Sequence, residues 1–154
     1  MSGERPNRET VLHLLQDTLS LKWQEAVAAL QTMRESRDAE EKSSAGDKYE
    51  TGRAMAQIEM EKLSQQMQSY EQQKERLNLW VNRPLSQQAQ LGHLLEFKDG
   101  PSVFLGPALG LVKSPEAEFL AVSADSPLGR TLMGMALGEK RLFNGRAYTL
   151  TRLL

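Results

Sequence analysis

Two long stretches of the chain repeat apolar residues at steps of three and four, and this repeat leaves few folds open. The first stretch runs from about Glu9 to Glu41 and is free of proline and glycine. Such spacing is typical of a helix with one apolar side, and Asn7 or Thr10 is suited to cap its start. The apolar side is predicted to consist of Leu12, Leu15, Leu19, Ala26, Ala29 and Met33, with a second ridge of Trp23, Val27 and Leu30.

A second helix is predicted from about Lys48 to Asn82. It ends before Pro84, because proline disfavours helical geometry in the residue that precedes it. The short polar segment 42–47 separates the two helices, and a short connection makes neighbouring helices antiparallel. Residues 1–83 are therefore expected to form a long antiparallel coiled-coil hairpin with its tip at residues 42–50. The apolar positions of the second helix are Met60, Leu63, Met67, Tyr70, Leu77 and Val81.

The rest of the chain, residues 84–154, has the pattern of short strands separated by turns. A short helix is predicted from Ser126 to Met135, with Ser126 as its cap and Pro127 at its first position. Asn144-Gly145 is a strong signal for a type I′ hairpin turn. We expect a small antiparallel sheet with one short helix, which makes the whole chain α+β. The predicted strands cover residues 91–97, 102–105, 109–113, 118–123, 141–143 and 147–152.

Composition narrows the class of protein. The chain has 154 residues, a formal net charge of −1 and no cysteine. It therefore lacks the overall basic field that drives non-specific nucleic-acid binding, and it can form neither disulfides nor thiolate metal sites. Apolar runs are far shorter than the roughly 20 residues that span a bilayer, and the first ten residues are polar, unlike a secretory signal. We expect a cytoplasmic protein without a membrane partner.

The sequence offers no complete active site of its own, but it places two acids at the hairpin tip. Asp47 and Glu50 are three residues apart at a helix start, so both side chains can point the same way. Carboxylates are ligands that Mg²⁺ prefers, but two are too few to hold the ion alone. The tip could therefore complete a metal site that belongs to another molecule. The alternative is a dimerising coiled coil with a solvated turn, and the oligomeric state stays open.

Two short motifs, in this order along the chain, resemble those of a known family. The first is Gly46-Asp47 followed by Glu50 at the tip. The second is Ser126-Pro127, a short helix ending in Leu-x-Gly at Gly134, and then Gly138-Glu139. Together they resemble the Gre-type transcript cleavage factors of bacterial RNA polymerase, and the resemblance covers nearly the whole chain. It implies a helical hairpin followed by an FKBP-like domain at residues 84–154.

The resemblance also implies a mechanism. The FKBP-like domain would dock on RNA polymerase at the rim of its secondary channel, with Ser126, Pro127 and Gly134 as candidate docking residues. The hairpin would pass down the channel, where Asp47 and Glu50 would help to hold a Mg²⁺ ion shared with the polymerase active site. The chain would then contact the nascent RNA 3′ end only indirectly. In this interpretation the chain binds no cofactor alone, and it is an activator rather than an enzyme.

The tip departs from the family pattern immediately after Glu50. The family commonly continues Asn-Ala-Glu-Tyr, whereas this chain continues Thr51-Gly52-Arg53-Ala54. Gly52 loosens the first helical turn, and the positive charge of Arg53 lies close to the acids. One alternative is therefore a Gre-like regulator that binds the channel without promoting cleavage. Another is an interaction module unrelated to transcription.

Overall fold

Two long helices precede a six-stranded sheet and a short helix, which confirms the predicted α+β class. A computed structural model describes residues 6–42 and 46–154, with side chains described for residues 6–39 and 51–154. The elements are α1 (Arg8–Lys42), α2 (Gly46–Val81), β1 (Leu94–Phe97), β2 (Ser102–Leu105), β3 (Gly110–Lys113), β4 (Glu118–Val122), α3 (Pro127–Leu132), β5 (Lys140–Phe143) and β6 (Arg146–Leu153).

The residues group into two compact units. The hairpin unit comprises residues 17–75, and the sheet unit comprises the residues up to 16 together with those from 76 onward. The end of α2 and the beginning of α1 therefore belong with the sheet. The predicted division into a hairpin at 1–83 and a second domain at 84–154 stays a prediction. No helix in the described part of the chain is both long enough and apolar enough to cross a membrane.

Asn7 is the residue that caps α1. Its side-chain Oδ1 accepts a hydrogen bond from the backbone N–H of Thr10 at 2.8 Å. This bond satisfies one of the N–H groups that a helix start leaves without a partner. Of the two predicted caps, the structure thus selects Asn7, and α1 begins at the next residue.

The two helices run antiparallel, as predicted. In the hairpin unit the indole N–H of Trp23 donates to Oε1 of Glu71 at 2.9 Å. In the sheet unit the side-chain amide of Gln16 donates to Oδ1 of Asn78 at 3.3 Å. A step forward along α1 thus corresponds to a step backward along α2, which is the pairing of an antiparallel hairpin.

The buried stripe of α1 agrees with the prediction over most of its length. Leu15, Leu19, Ala26 and Leu30 are buried as predicted, but Val11 is buried in place of the half-buried Leu12, and Ala29 is exposed. Steps of four predominate along the stripe, because a helix with 3.6 residues per turn drifts away from a strict seven-residue repeat. The buried apolar residues of the helices are Val11, Leu15, Leu19, Ala26 and Leu30 from α1 and Met60 and Leu77 from α2.

The sheet has the strand order β3-β4-β2-β1-β6-β5 and is mixed rather than antiparallel. Strand β1 is antiparallel to both β2 and β6, but β2 and β4 are parallel, from Ser102 opposite Phe119 to Leu105 opposite Val122. The prediction of a wholly antiparallel sheet is therefore wrong for this pair. Strand β3 lies at the edge of the sheet and is antiparallel to β4. Strand β4 therefore lies between β3 and β2 and runs in the same direction as β2.

The last hairpin follows its turn signal closely. Asn144 and Gly145 have φ values of 50° and 77°, the positive pair that a type I′ turn requires. Along β6, Tyr148 and Leu150 are buried while Ala147 is exposed, so the strand has one buried face. That face belongs to a core that includes Leu95, Phe97, Val103, Leu105, Leu132 and Met135.

Candidate functional site

The first two candidate docking residues form the start of α3. Ser126 has extended backbone geometry, and its Oγ accepts a hydrogen bond from the N–H of Gly129 at 3.0 Å. The same hydroxyl donates to the carbonyl of Ser123 at 2.7 Å. Pro127 occupies the first helical turn, where a missing N–H costs no hydrogen bond. Both residues therefore fix where the helix begins, as the sequence predicted.

Gly129 holds α3 close to the segment that precedes it. A Cβ added at this buried position would lie 1.9 Å from the backbone oxygen of Ser123. Backbone cannot yield as a flexible side chain can, so the site admits only glycine without moving the helix. The candidate docking residues did not include Gly129, and its only signal was a glycine inside a short helix.

Gly134, the third candidate, lies in the loop that follows α3. Its φ of +80° is one that residues with a Cβ rarely adopt. Its N–H donates to the carbonyl of Ala89 at 2.7 Å, and the N–H of Ala89 donates to Met135 at 2.8 Å. The loop is thus tied to the segment before β1 by two backbone hydrogen bonds. Gly134 is needed here for its backbone geometry, since a Cβ would meet no other atom within 4 Å.

Arg141 of β5 ties the same loop to the sheet. Its Nη1 donates to the carbonyls of Thr131 at 2.9 Å and Met133 at 2.7 Å. Its Nε donates to Glu139, whose other carboxylate oxygen accepts from the N–H of Ala136 at 3.1 Å. The hydrogen bonds from Arg141 and then from Ala136 lower the pKa of Glu139. The sequence had suggested no structural role for Arg141, because its partners are backbone carbonyls, which carry no sequence signal.

Together these contacts place Ser126, Pro127 and Gly134 at the two ends of α3. The first two begin the helix, and Gly134 follows its last residue by two positions. The three residues therefore belong to one small structure, the helix with its flanking loops, rather than to separate parts of the sheet. Each has a structural role in that element, and their docking role stays a prediction.

The acids of the predicted tip lie in the first turns of α2. This helix begins at Gly46, so Asp47 and Glu50 are its second and fifth residues. One helical turn separates them, which places them on the same side of the helix. Their side chains lie outside the described residues, as does segment 43–45. Their role as metal ligands therefore stays a prediction.

Neither histidine forms part of a metal site in the described chain. No group of three or more His, Cys, Asp or Glu residues there is arranged to hold a metal ion. His93 is buried, and its Nδ1 has no hydrogen-bond partner in the described structure. Burial and then the nearby Arg8 guanidinium lower its pKa, which the carbonyl of Leu154 partly offsets. Arg8 itself donates to the carbonyl of Gly92 at 3.1 Å. These contacts make His93 a packing residue.

The hairpin unit carries two open grooves between its helices. One has a volume of about 310 Å³ and is lined by residues that include Trp23, Tyr70, Glu71 and Lys74. The other has a volume of about 530 Å³ and is lined by residues that include Arg34, Arg37, Gln57, Met60 and Glu61. Neither contains a nucleophile paired with a base, so neither has the constellation of an active site.

Comparisons with known proteins provide little beyond this geometry. No protein-family model matches the chain, and no curated protein matches it. Among solved structures, a chain described as the transcription factor Gfh1 is 18% identical, with 88% of this chain and 89% of that chain covered and a TM-score of 0.36. Overall similarity at that level carries no argument about function, so the functional proposal rests on the residues of this chain.

Proposed function

We propose that the chain is a transcription elongation factor of the Gre type, which binds RNA polymerase through its secondary channel and stimulates cleavage of backtracked RNA. The observation that carries the proposal is the position of Asp47 and Glu50, one turn apart at the start of the second long helix. The order of a helical hairpin followed by a sheet with one short helix agrees with that family. The protein would act in the cytoplasm, and RNA polymerase would be its partner.

The donor chemistry of the tip fits a shared magnesium ion. Two carboxylates supply hard oxygen ligands, and Mg²⁺ usually takes one or two of these while water and phosphates supply the rest. When bound beside a first metal ion, such an ion lowers the pKa of a water molecule and stabilises charge on a transferring phosphoryl group. Asp47 and Glu50 would hold the ion and orient the water. The polymerase would supply the remaining ligands, so the chain would be an activator and not an enzyme.

The long helices support the role of carrying these acids to a distant site. α1 has 35 residues and α2 has 36. At a rise of about 1.5 Å per residue, each corresponds to roughly 50 Å of helix. The side chains on the outer faces are mostly polar, as a helix pair that enters a hydrated channel requires.

A second candidate, a channel-binding regulator that does not promote cleavage, is favoured by Gly52 and Arg53. Gly52 is exposed, and a Cβ there would meet no atom within 4 Å, so the fold does not require glycine at this position. Glycine inside a helix reduces its stability by about 0.5–1 kcal/mol relative to alanine. A loosened second turn of α2 would position Asp47 and Glu50 less firmly. The guanidinium of Arg53, which is close in sequence, would also compete with a metal ion for the negative charge of the two acids.

A stalled, backtracked elongation complex distinguishes these functions. The proposal predicts that the purified protein with Mg²⁺ shortens the RNA, and that D47A/E50A binds polymerase but does not shorten it. E59A is a matched control, since Glu59 is an exposed acid further along the same helix. Binding without shortening by the parent protein would establish the regulator instead. Failure to bind polymerase would exclude both of these functions. The remaining alternative would then be an interaction module unrelated to transcription.

A further inference from the structure

The burial of side chains changes abruptly along the hairpin unit. We call residues 17–30 and 60–75 the proximal segment, and residues 31–39 and 51–59 the distal segment. The proximal segment contains the buried residues Leu19, Ala26, Leu30 and Met60. In the distal segment every described side chain is exposed except three that are half-buried, Met33, Arg37 and Ala56. The distal segment therefore has almost no apolar contact to hold its two helices together.

Arg37 stands where the apolar stripe of α1 should continue. The stripe passes through Ala26, Leu30 and Met33, and the next position on that side is 37. Arg37 lines the groove of about 530 Å³ together with Gln57 and Met60 of α2. Its Nε is buried without a hydrogen-bond partner in the described structure. A buried polar group without a partner destabilises the packed state, where an aliphatic side chain would stabilise it.

The ion pair that Arg37 forms among the described residues does not offset this cost. One guanidinium nitrogen lies 3.6 Å from a carboxylate oxygen of Asp38, whose side chain is largely exposed. Exposed ion pairs contribute little to stability. Asp38 also belongs to the same helix, so the pair does nothing to join α1 to α2.

The larger apolar residues of distal α2 do not help either. Met55 and Ile58 are 68% and 67% exposed, so they lie off the side that faces α1. Gly52 adds backbone freedom to the same stretch. Short helical pieces are marginal in water without tertiary packing. The distal segment thus combines few apolar contacts with exposed helix, which are the features of a region that opens locally.

We infer that the hairpin consists of a firmly paired proximal segment and a labile distal segment, and that Arg37, at a position where an apolar side chain would pack on α2, keeps the distal segment from pairing firmly. The distal helices separate and fray together while the proximal helices stay paired. Because the distal segment is flexible and the proximal segment is stable, the distal end can change its shape when it enters a confined site. It is a property of this chain by itself, and it holds whether or not the chain binds RNA polymerase.

Hydrogen exchange of the full chain tests the inference. Amides of the distal segment should exchange at least about tenfold faster than those of the proximal segment. R37L should slow exchange in the distal segment by about tenfold, because a leucine there restores apolar burial. R34L is the matched control, since Arg34 is an exposed arginine in the same groove. Equal protection of the two segments would overturn the inference, as would an R37L profile identical to that of the parent or of R34L.

Spin-label distances provide a second readout that does not depend on exchange. The chain has no cysteine, so spin labels attach only to cysteines introduced at chosen positions. A pair at Glu35 and Glu59 reports on the distal segment, and a pair at Glu25 and Gln72 reports on the proximal one; all four side chains are exposed. The distal distribution should be broad and should narrow with R37L, while the proximal one is narrow in both. A narrow distal distribution in the parent would contradict the inference.

Discussion

Replacing Gly129 by alanine should destabilise the sheet unit far more than a single methyl group normally would. The added Cβ would lie 1.9 Å from the backbone oxygen of Ser123 and 2.9 Å from the Oγ of Ser126. Real Cβ atoms do not approach other atoms so closely, so α3 must move away from the segment after β4. That movement pulls the N–H of Gly129 away from the Ser126 hydroxyl, which accepts it at 3.0 Å.

The size of the effect follows from two contributions. Overpacking in a well-packed region costs about 1–3 kcal/mol, and loss of a serine cap costs about 1 kcal/mol. The free energy of unfolding of the sheet unit should therefore fall by about 2–4 kcal/mol. Part of this is the cap itself, so S126A should cost less in the G129A background than in the parent.

Urea denaturation followed by Trp80 fluorescence measures this directly. Trp80 belongs to the sheet unit, and W23F removes the other tryptophan, which belongs to the hairpin unit. R130A serves as the control, because Arg130 is an exposed neighbour in the same helix. A G129A midpoint within the range of R130A would refute the close approach of α3. Full additivity of S126A and G129A would refute the proposed loss of the cap.

Two further predictions concern pH and the tip. Since burial and then Arg8 lower the pKa of His93 below 6.5, the unfolded chain binds this proton more readily than the folded one. The stability of the sheet unit should be complete above pH 6.5 and fall as the pH drops below it, and H93Q should flatten this dependence in urea midpoints measured between pH 5 and 8. Gly52→Ala should raise the helicity of distal α2 by stabilising it by about 0.5–1 kcal/mol, measured by circular dichroism and exchange; a loss of helicity would show that position 52 is not helical.

Local chemistry made much of the fold predictable from sequence. Ser126 and Pro127 specify a helix start by a hydroxyl acceptor and a fixed φ, and both stand in the predicted places. Asn144-Gly145 specifies a turn by its tolerance of positive φ. These signals act over two to four residues, so they do not depend on how distant parts of the chain fold. The long helices were equally clear, because their apolar repeat extends over many turns.

Features that depend on distant residues were not predictable in the same way. The parallel pairing of β2 with β4 results from the edge position of β3, which no local pattern encodes. The stripe of α1 includes Val11 rather than the predicted Leu12 and leaves Ala29 exposed, because the true helical period accumulates a phase difference over several turns. Arg141 acts on backbone carbonyls of the loop after α3, and its sequence context resembles that of an ordinary surface arginine.

The isosteric variant D47N/E50Q tests most directly whether the charge of the two tip carboxylates promotes RNA cleavage. Asparagine and glutamine keep the size of the side chains but remove the negative charge that a shared Mg²⁺ requires. In a backtracked elongation complex, the proposal predicts RNA shortening with the parent protein, and no shortening above the rate of polymerase alone with D47N/E50Q. The variant should still compete with the parent for polymerase. Shortening by D47N/E50Q at the parental rate would show that Asp47 and Glu50 do not hold a shared Mg²⁺ through their charge.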